Sequence, residues 1–159
     1  MTEQEEPLEE TNNTLVHWYY HGLGEFMASA DELGYDLDWF EWDSLDVLER
    51  YILETSVSHS SKEEAEMTRF VACYTYLGFA INHKYKSKWV EIKDGSLHNG
   101  LLGIANLIAG KPEMYIVPRA IIKSVILKRV PEGLKEFVRS KIEDEYVSTV
   151  AATPTEDEA

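Results

Sequence analysis

Cysteine occurs once in 159 residues, at Cys73. No disulfide can form within the chain, which fits a reducing compartment, with the cytoplasm as the expected location. Long apolar runs are also missing: nowhere do about 18 apolar residues follow one another, so no membrane-spanning helix is expected. The opening MTEQEEPLEE is acidic, without the basic start and greasy centre of a secretory leader. Basic side chains are scarce in one half only. Residues 1–66 hold 18 Asp and Glu against Arg50 and Lys62, a charge of −16, and residues 67–159 hold 13 basic and 11 acidic groups, a charge of +2. Together these make the net −14. Phosphate contacts need Lys and Arg, so the acidic half is a poor surface for nucleic acid. It suits a basic protein partner, although plain solubility is a simpler use of the same charge.

Familiar catalytic patterns are absent too. There is no G-x-S-x-G elbow and no phosphate-binding P-loop. Gly-Leu-Leu-Gly at 100–103 lacks the further glycine and acidic partner of a dinucleotide fingerprint. Cys73 sits in the apolar run FVACYTYLGF, where a thiol serves as a small core residue. The cluster Lys84, Lys86, Lys88 and Lys93, with Tyr85 and Trp89 between, can touch an acidic group, but it also suits the C-terminal end of a helix. No cofactor is expected.

What is present is the composition of a folded domain, 44% hydrophobic and 28% charged, at a length that can bury a sizeable core. Residues 1–11 and 148–159 read as acidic tails around a single domain at 12–147. A first helix is expected from Asn12 or Asn13 to about Leu33, with Val16, Tyr19, Tyr20, Leu23, Phe26, Met27 and Ala30 inward and Gly34 as its stop. Gly22 and Gly24 are costly inside it and suggest a close backbone approach or a kink. A second helix is expected from Asp43 to Glu54. A third should open with the capping box Ser61–Glu64 and run to about Tyr85. Strands follow at Trp89–Ile92 and at Met114–Val117; residues 98–110 between them suit either a strand or a short helix, and their punctuating glycines favour the strand. Pro118 and Pro131 each open a closing helix. The expected class is α+β: a helical N-terminal half with three helices, a small antiparallel sheet of two to three strands, then one or two C-terminal helices.

Two constellations carry possible chemistry. HWYYHGLGE places His17, His21 and Glu25 four apart, the spacing at which a helix can offer metal ligands, and so raises a metal-dependent hydrolase as one reading. The glutamate of H-E-x-x-H is replaced by Trp18, and on a straight helix His17 and Glu25 lie about 12 Å apart along the axis. A wet helix face explains the same residues, and no metal is expected. The second constellation, YDLDWFEWDSLDVLE, sets Asp36, Asp38, Glu41, Asp43, Asp46 and Glu49 among Tyr35, Trp39, Phe40 and Trp42. Aromatic rings with carboxylates around them suit a contact surface, the rings as anchors and the charge as guidance. At least one ring is expected to be used in the core instead. The carboxylate pairs do not point to a glycosidase, because any acid-rich helix contains such pairs. The segment also lacks the central glycine of a calcium loop.

At TYLGFAINHKYKSKWVEI the chain resembles small bacterial domains in which a helix ending in Tyr-Leu-Gly leads through a basic turn to Trp-Val. The resemblance spans about Tyr76 to Arg129 and rests on Tyr76, Leu77, Gly78, Trp89, Val90 and Pro118. Phe79 and Ser87–Lys88 depart from the family's usual acidic residue and paired glycine. Some of these domains look like immunity proteins encoded beside secreted toxins. The resemblance therefore implies a non-catalytic protein that neutralises a cognate toxin by contact. The expected partner surface is Asp36, Asp38, Trp39, Glu41, Trp42, Asp43, Asp46 and Glu49. A self-associating adaptor, in which the aromatic patch meets its own copy, is the other non-enzymatic reading.

Overall fold

In a computed structural model, described for residues 8–10, 13–38, 40–92, 102–105, 107, 115–130 and 132–145, helices pack around a long central helix and against a small sheet. Side chains are described from Gly22 onward, apart from those of 102, 144 and 145. The elements are β1 (Leu8–Glu10), α1 (Asn13–Glu32), α2 (Ser44–Glu54), α3 (Glu64–Tyr85), β2 (Lys88–Ile92), β3 (Leu102–Ala105), β4 (Tyr115–Ile116), α4 (Pro118–Ile126) and α5 (Leu134–Arg139). The last continues as a π-helical stretch over Ser140–Glu145. The α+β class and the order of helices, sheet and closing helices match the expectation.

Helix α1 ends where its sequence says it should. Gly34 takes a φ of +95°, and the Tyr35 N–H reaches back to the Ala30 carbonyl at 2.9 Å, the left-handed closure that glycine permits. Leu23, Phe26 and Ala30 are buried, and Met27 is half-buried against the core. The side chains of Val16, Tyr19 and Tyr20 lie outside the described set, as does Asn12. Helix α2 starts at Ser44, with Asp43 preceding it in a helical conformation that directs no side-chain bond to the helix end. Helix α3 corrects one expectation. Ser61 does not cap it: its Oγ accepts the Glu63 N–H at 3.1 Å in a local turn, and Glu63 is the residue that precedes the helix. A serine hydroxyl two residues from an N–H can close such a turn, and here it does so instead of reaching the helix. Helix α4 does begin at Pro118. Helix α5 starts at Leu134 behind Gly133, whose φ is +94°; Pro131 is not among the described residues.

The sheet has the order β1-β2-β3-β4, antiparallel throughout, with Trp89 opposite Ile104 and Ile104 opposite Ile116. Strand β1 is a correction. Leu8–Glu10 falls in the segment read as a tail at 1–11, yet it pairs with β2, Leu8 opposite Ile92. An acidic tripeptide shows no strand periodicity, and it is the unpaired edge of β2 that recruits it. Strand β3 lies inside the ambiguous 98–110 stretch, whose residues 98–101, 106 and 108–110 lie outside the described set, as does Met114.

The core runs from α2 through α3 to α4 and α5, with Leu45, Leu48, Ile52, Tyr76, Leu77, Ile81, Ile122, Val125 and Leu134 fully buried. Gly78 and Trp89 form its joint with the sheet. A Cβ at Gly78 would sit 2.1 Å from Trp89 Cη2, so only glycine lets the indole lie on α3. Tyr76, Leu77, Gly78, Trp89, Val90 and Pro118, the points that carry the resemblance, are all buried. No helix among the described residues is long and apolar enough to cross a membrane.

Candidate functional site

The segment from Tyr35 to Glu49 is the loop between α1 and α2 plus the first turns of α2, and it is tied to the core through one serine. Ser44, only 6% exposed, donates its hydroxyl to the Asp38 carbonyl at 2.8 Å and shares a 2.5 Å hydrogen bond with the buried Tyr76 hydroxyl. Burial of that phenol pushes its pKa up to about 12, against a lowering pull from Ser44. The loop is further closed by the Glu41 N–H donating to the Asp38 carbonyl and by the Phe40 N–H donating to Asp38 Oδ1 at 3.1 Å. Asp38 thus folds the loop with one carboxylate oxygen while its side chain stays exposed.

The eight residues expected to form a partner surface divide into groups. Asp43 and Asp46 both reach the Lys135 ammonium on α5, at 2.9 and 3.3 Å. The hydrogen bond from Asp43, then that from Asp46, raises the lysine's pKa above its usual value. Glu49 is half-buried, and its Oε1 accepts the Leu134 N–H at 2.9 Å, capping α5 from another helix. These three carboxylates have partners inside the molecule. Asp36, Asp38 and Glu41 are exposed and enter no ion pair among the described residues. Trp39 lies outside the described residues.

Two aromatic rings belong to the same segment. Phe40 is 57% exposed and meets His83 edge-on, with centroids 4.9 Å apart. Trp42 is half-buried, edge-on to Tyr85 at 5.8 Å, with the Lys84 ammonium 5.2 Å from its ring centre. The Tyr85 hydroxyl donates to Glu143 at 2.6 Å. Burial, then that bond to a carboxylate, raises the pKa of Tyr85. The basic turn therefore lies beside the acidic loop and against its aromatic residues. Lys84 and Lys86 are exposed at the end of α3, and Lys86 makes the left-handed turn with a φ of +56°. Lys93 is outside the described residues.

The histidine constellation lies on α1, a helix unbroken from Asn13 to Glu32, so His17, His21 and Glu25 follow one another along its axis. The side chains of His17 and His21 lie outside the described set, and Glu25 is exposed. Among the described residues, no three His, Cys, Asp or Glu side chains are grouped to hold a metal ion. Cys73 is fully buried, and burial pushes its thiol up to about 12, far from a reactive thiolate at neutral pH.

Sequence pattern could not reveal Lys135 as the partner of Asp43 and Asp46, since 92 and 89 residues separate them. It did place Phe40 inside the segment, but pattern does not say which ring stays outside. No protein-family model, curated protein or solved structure matches this chain.

Proposed function

We propose that this chain is a non-catalytic binding protein that holds a basic protein partner on the corner formed by Asp36, Phe40, Asp38 and Glu41, with Trp42 at its edge. The observation that carries the reading is a large apolar ring, 57% exposed, in the same short segment as Asp36, Asp38 and Glu41, which are exposed and enter no ion pair among the described residues. An exposed phenylalanine gains little in an isolated molecule, whereas buried at a contact it contributes the area of an anchor. Carboxylates around it speed the approach of a positive surface and suppress negative ones. A net charge of −14 extends that field beyond the contact itself. In keeping with the resemblance to immunity proteins, the partner is a secreted toxin whose basic working surface is covered by contact, without bond-making on either side.

The test places a photo-crosslinking phenylalanine analogue at position 40 and, as a control, at position 53, where Leu53 is exposed on α2. Irradiation in the producing cells should join position 40 to a basic polypeptide. The product should vanish when Asp36, Asp38 and Glu41 are changed to lysine. Equal products from both positions, adducts to the chain's own copy alone, or no adduct would each refute the reading.

A further inference from the structure

Helix α4 and the turn that ends it carry Arg119, Lys123, Lys128 and Arg129, all exposed. Residues 114–131 hold no Asp or Glu, in a chain whose net charge is −14. None of the four cations enters an ion pair among the described residues, whereas Arg69, Lys135 and Arg139 each do. The packed side of α4 is Ile121, Ile122 and Val125. Arg119 and Lys123 stand four apart on the outer side, about 6 Å along the axis. Leu127, 39% exposed, continues that stripe four residues further on.

Helix electrostatics explains only part of this pattern. A cation near a helix C-terminus is favourable, which accounts for Lys123 and the residues beyond it. Arg119 is the second residue of α4, at the positive end, where the same dipole opposes it. It lies over the Phe70 ring, 5.5 Å from the centroid, a contact that steadies the guanidinium without neutralising it. Lys128 is the second observation, because it stands where glycine is suited. Its φ is +61°. Its N–H donates to the Val125 carbonyl at 2.9 Å, and the Arg129 N–H donates to the Ser124 carbonyl at 2.8 Å, the same closure that Gly34 makes for α1. A side chain in that conformation is strained, and the strain keeps a charge at the end of the stripe.

We propose that the outer face of α4 and its closing turn dock an acidic segment of a partner protein, with carboxylates set around an apolar residue. Arg119 and Lys123 take carboxylates on alternate residues of an extended segment, whose repeat of about 7 Å matches their spacing. Leu127 meets the apolar residue, and Lys128 and Arg129 take the carboxylates beyond it. A short segment fits better than nucleic acid or an anionic membrane. Both of those carry their charge past the stripe, about 12 Å from Arg119 to Leu127, onto a chain that is otherwise strongly acidic. The surface lies on other elements than the acidic corner and does not depend on that reading.

The probe is a fluorescent peptide in a glycine–serine background: two glutamates on alternate residues, then a leucine, then two more glutamates. Anisotropy reads its affinity, and NMR shifts show where it sits. It should bind saturably and move the amides of α4 and of Leu127, Lys128 and Arg129. The same peptide with glutamine for glutamate should not bind. Arg119→Gln with Lys123→Gln should weaken binding roughly three- to ten-fold, as expected of two exposed ion pairs. Leu127→Ser should weaken it roughly two- to five-fold. Lys128→Gly separates charge from folding. It should not lower the melting temperature, because glycine takes the left-handed turn freely, yet it should weaken the peptide roughly two- to five-fold. No saturable binding, binding that survives these variants, shifts away from α4, or a Lys128→Gly protein that melts earlier would overturn the proposal. So would tighter binding by a single-stranded oligonucleotide or by phosphatidylserine vesicles, or a dimer of this chain that Arg119→Gln with Lys123→Gln dissolves.

Discussion

Replacing Glu49 by alanine should destabilise the fold and leave partner association nearly unchanged, although Glu49 lies in the acidic segment that a sequence reading assigns to the partner. Its carboxylate crosses from α2 to accept the first N–H of α5 at 2.9 Å. A hydrogen bond to a charged group contributes about 1.5–3 kcal/mol, and a negative charge at a helix N-terminus about 0.3–1 kcal/mol. Because the residue is half-buried, the lower part of the combined range applies, roughly 2 kcal/mol. The loss is felt because α5 is short and, with the π-helical stretch that continues it, depends on seating Leu134, Val138 and Ile142, all buried, against the rest. For a chain of this size 1 kcal/mol moves the midpoint by about 2–4 °C, so a fall of about 4–8 °C is expected. Urea unfolding followed by circular dichroism reads the same change as a lower midpoint with an unchanged slope. Glu49→Gln keeps an acceptor and loses only the charge, so it should cost about 0.5–1 kcal/mol. Asp36→Ala should stay within about 0.5 kcal/mol of the unaltered protein. If Glu49→Ala also stays within that margin, the cap does not hold α5 and the structural role is wrong.

Gly78→Ala should cost at least about 1–3 kcal/mol, because the new methyl collides with the buried Trp89 ring; the tryptophan emission should shift as the indole is displaced. Alkaline pH should destabilise the protein. The pKa values of Tyr76 and Tyr85 are both raised, so their contribution is complete below the ordinary tyrosine value of about 10 and is lost as pH climbs through the folded values. Tyr76→Phe should flatten that fall in a pH series of melting curves, and an unchanged profile would contradict it. Cys73 should react with an aromatic disulfide reagent only as fast as the protein opens, with urea accelerating it; rapid labelling of the folded protein at neutral pH would refute its burial.

The helices were readable because their signals are local. Gly34 as the stop of α1, Pro118 as the start of α4 and the apolar spacing of α3 each act within one or two turns, and all three appear in the structure. The capping box at Ser61 failed because a nearer N–H competed for the same hydroxyl. Strand β1 was illegible because Leu8–Glu10 becomes a strand only once β2 offers an edge. The candidate site was legible as a stretch of chain but not in its division of labour. Six carboxylates look alike in sequence. Which of them face Lys135 or the end of α5 depends on contacts spanning 85 residues or more.

The most direct measurement is the association rate between this protein and the partner joined through position 40, followed by stopped flow as salt is raised. The account predicts a steep fall with ionic strength. It also predicts a fall of roughly ten-fold or more on Asp36→Lys, Asp38→Lys and Glu41→Lys together. Reversing Asp43 and Asp46, already engaged by Lys135, should slow association less. A rate indifferent to salt and to the three reversals would contradict the claim that this acidic corner captures a basic partner.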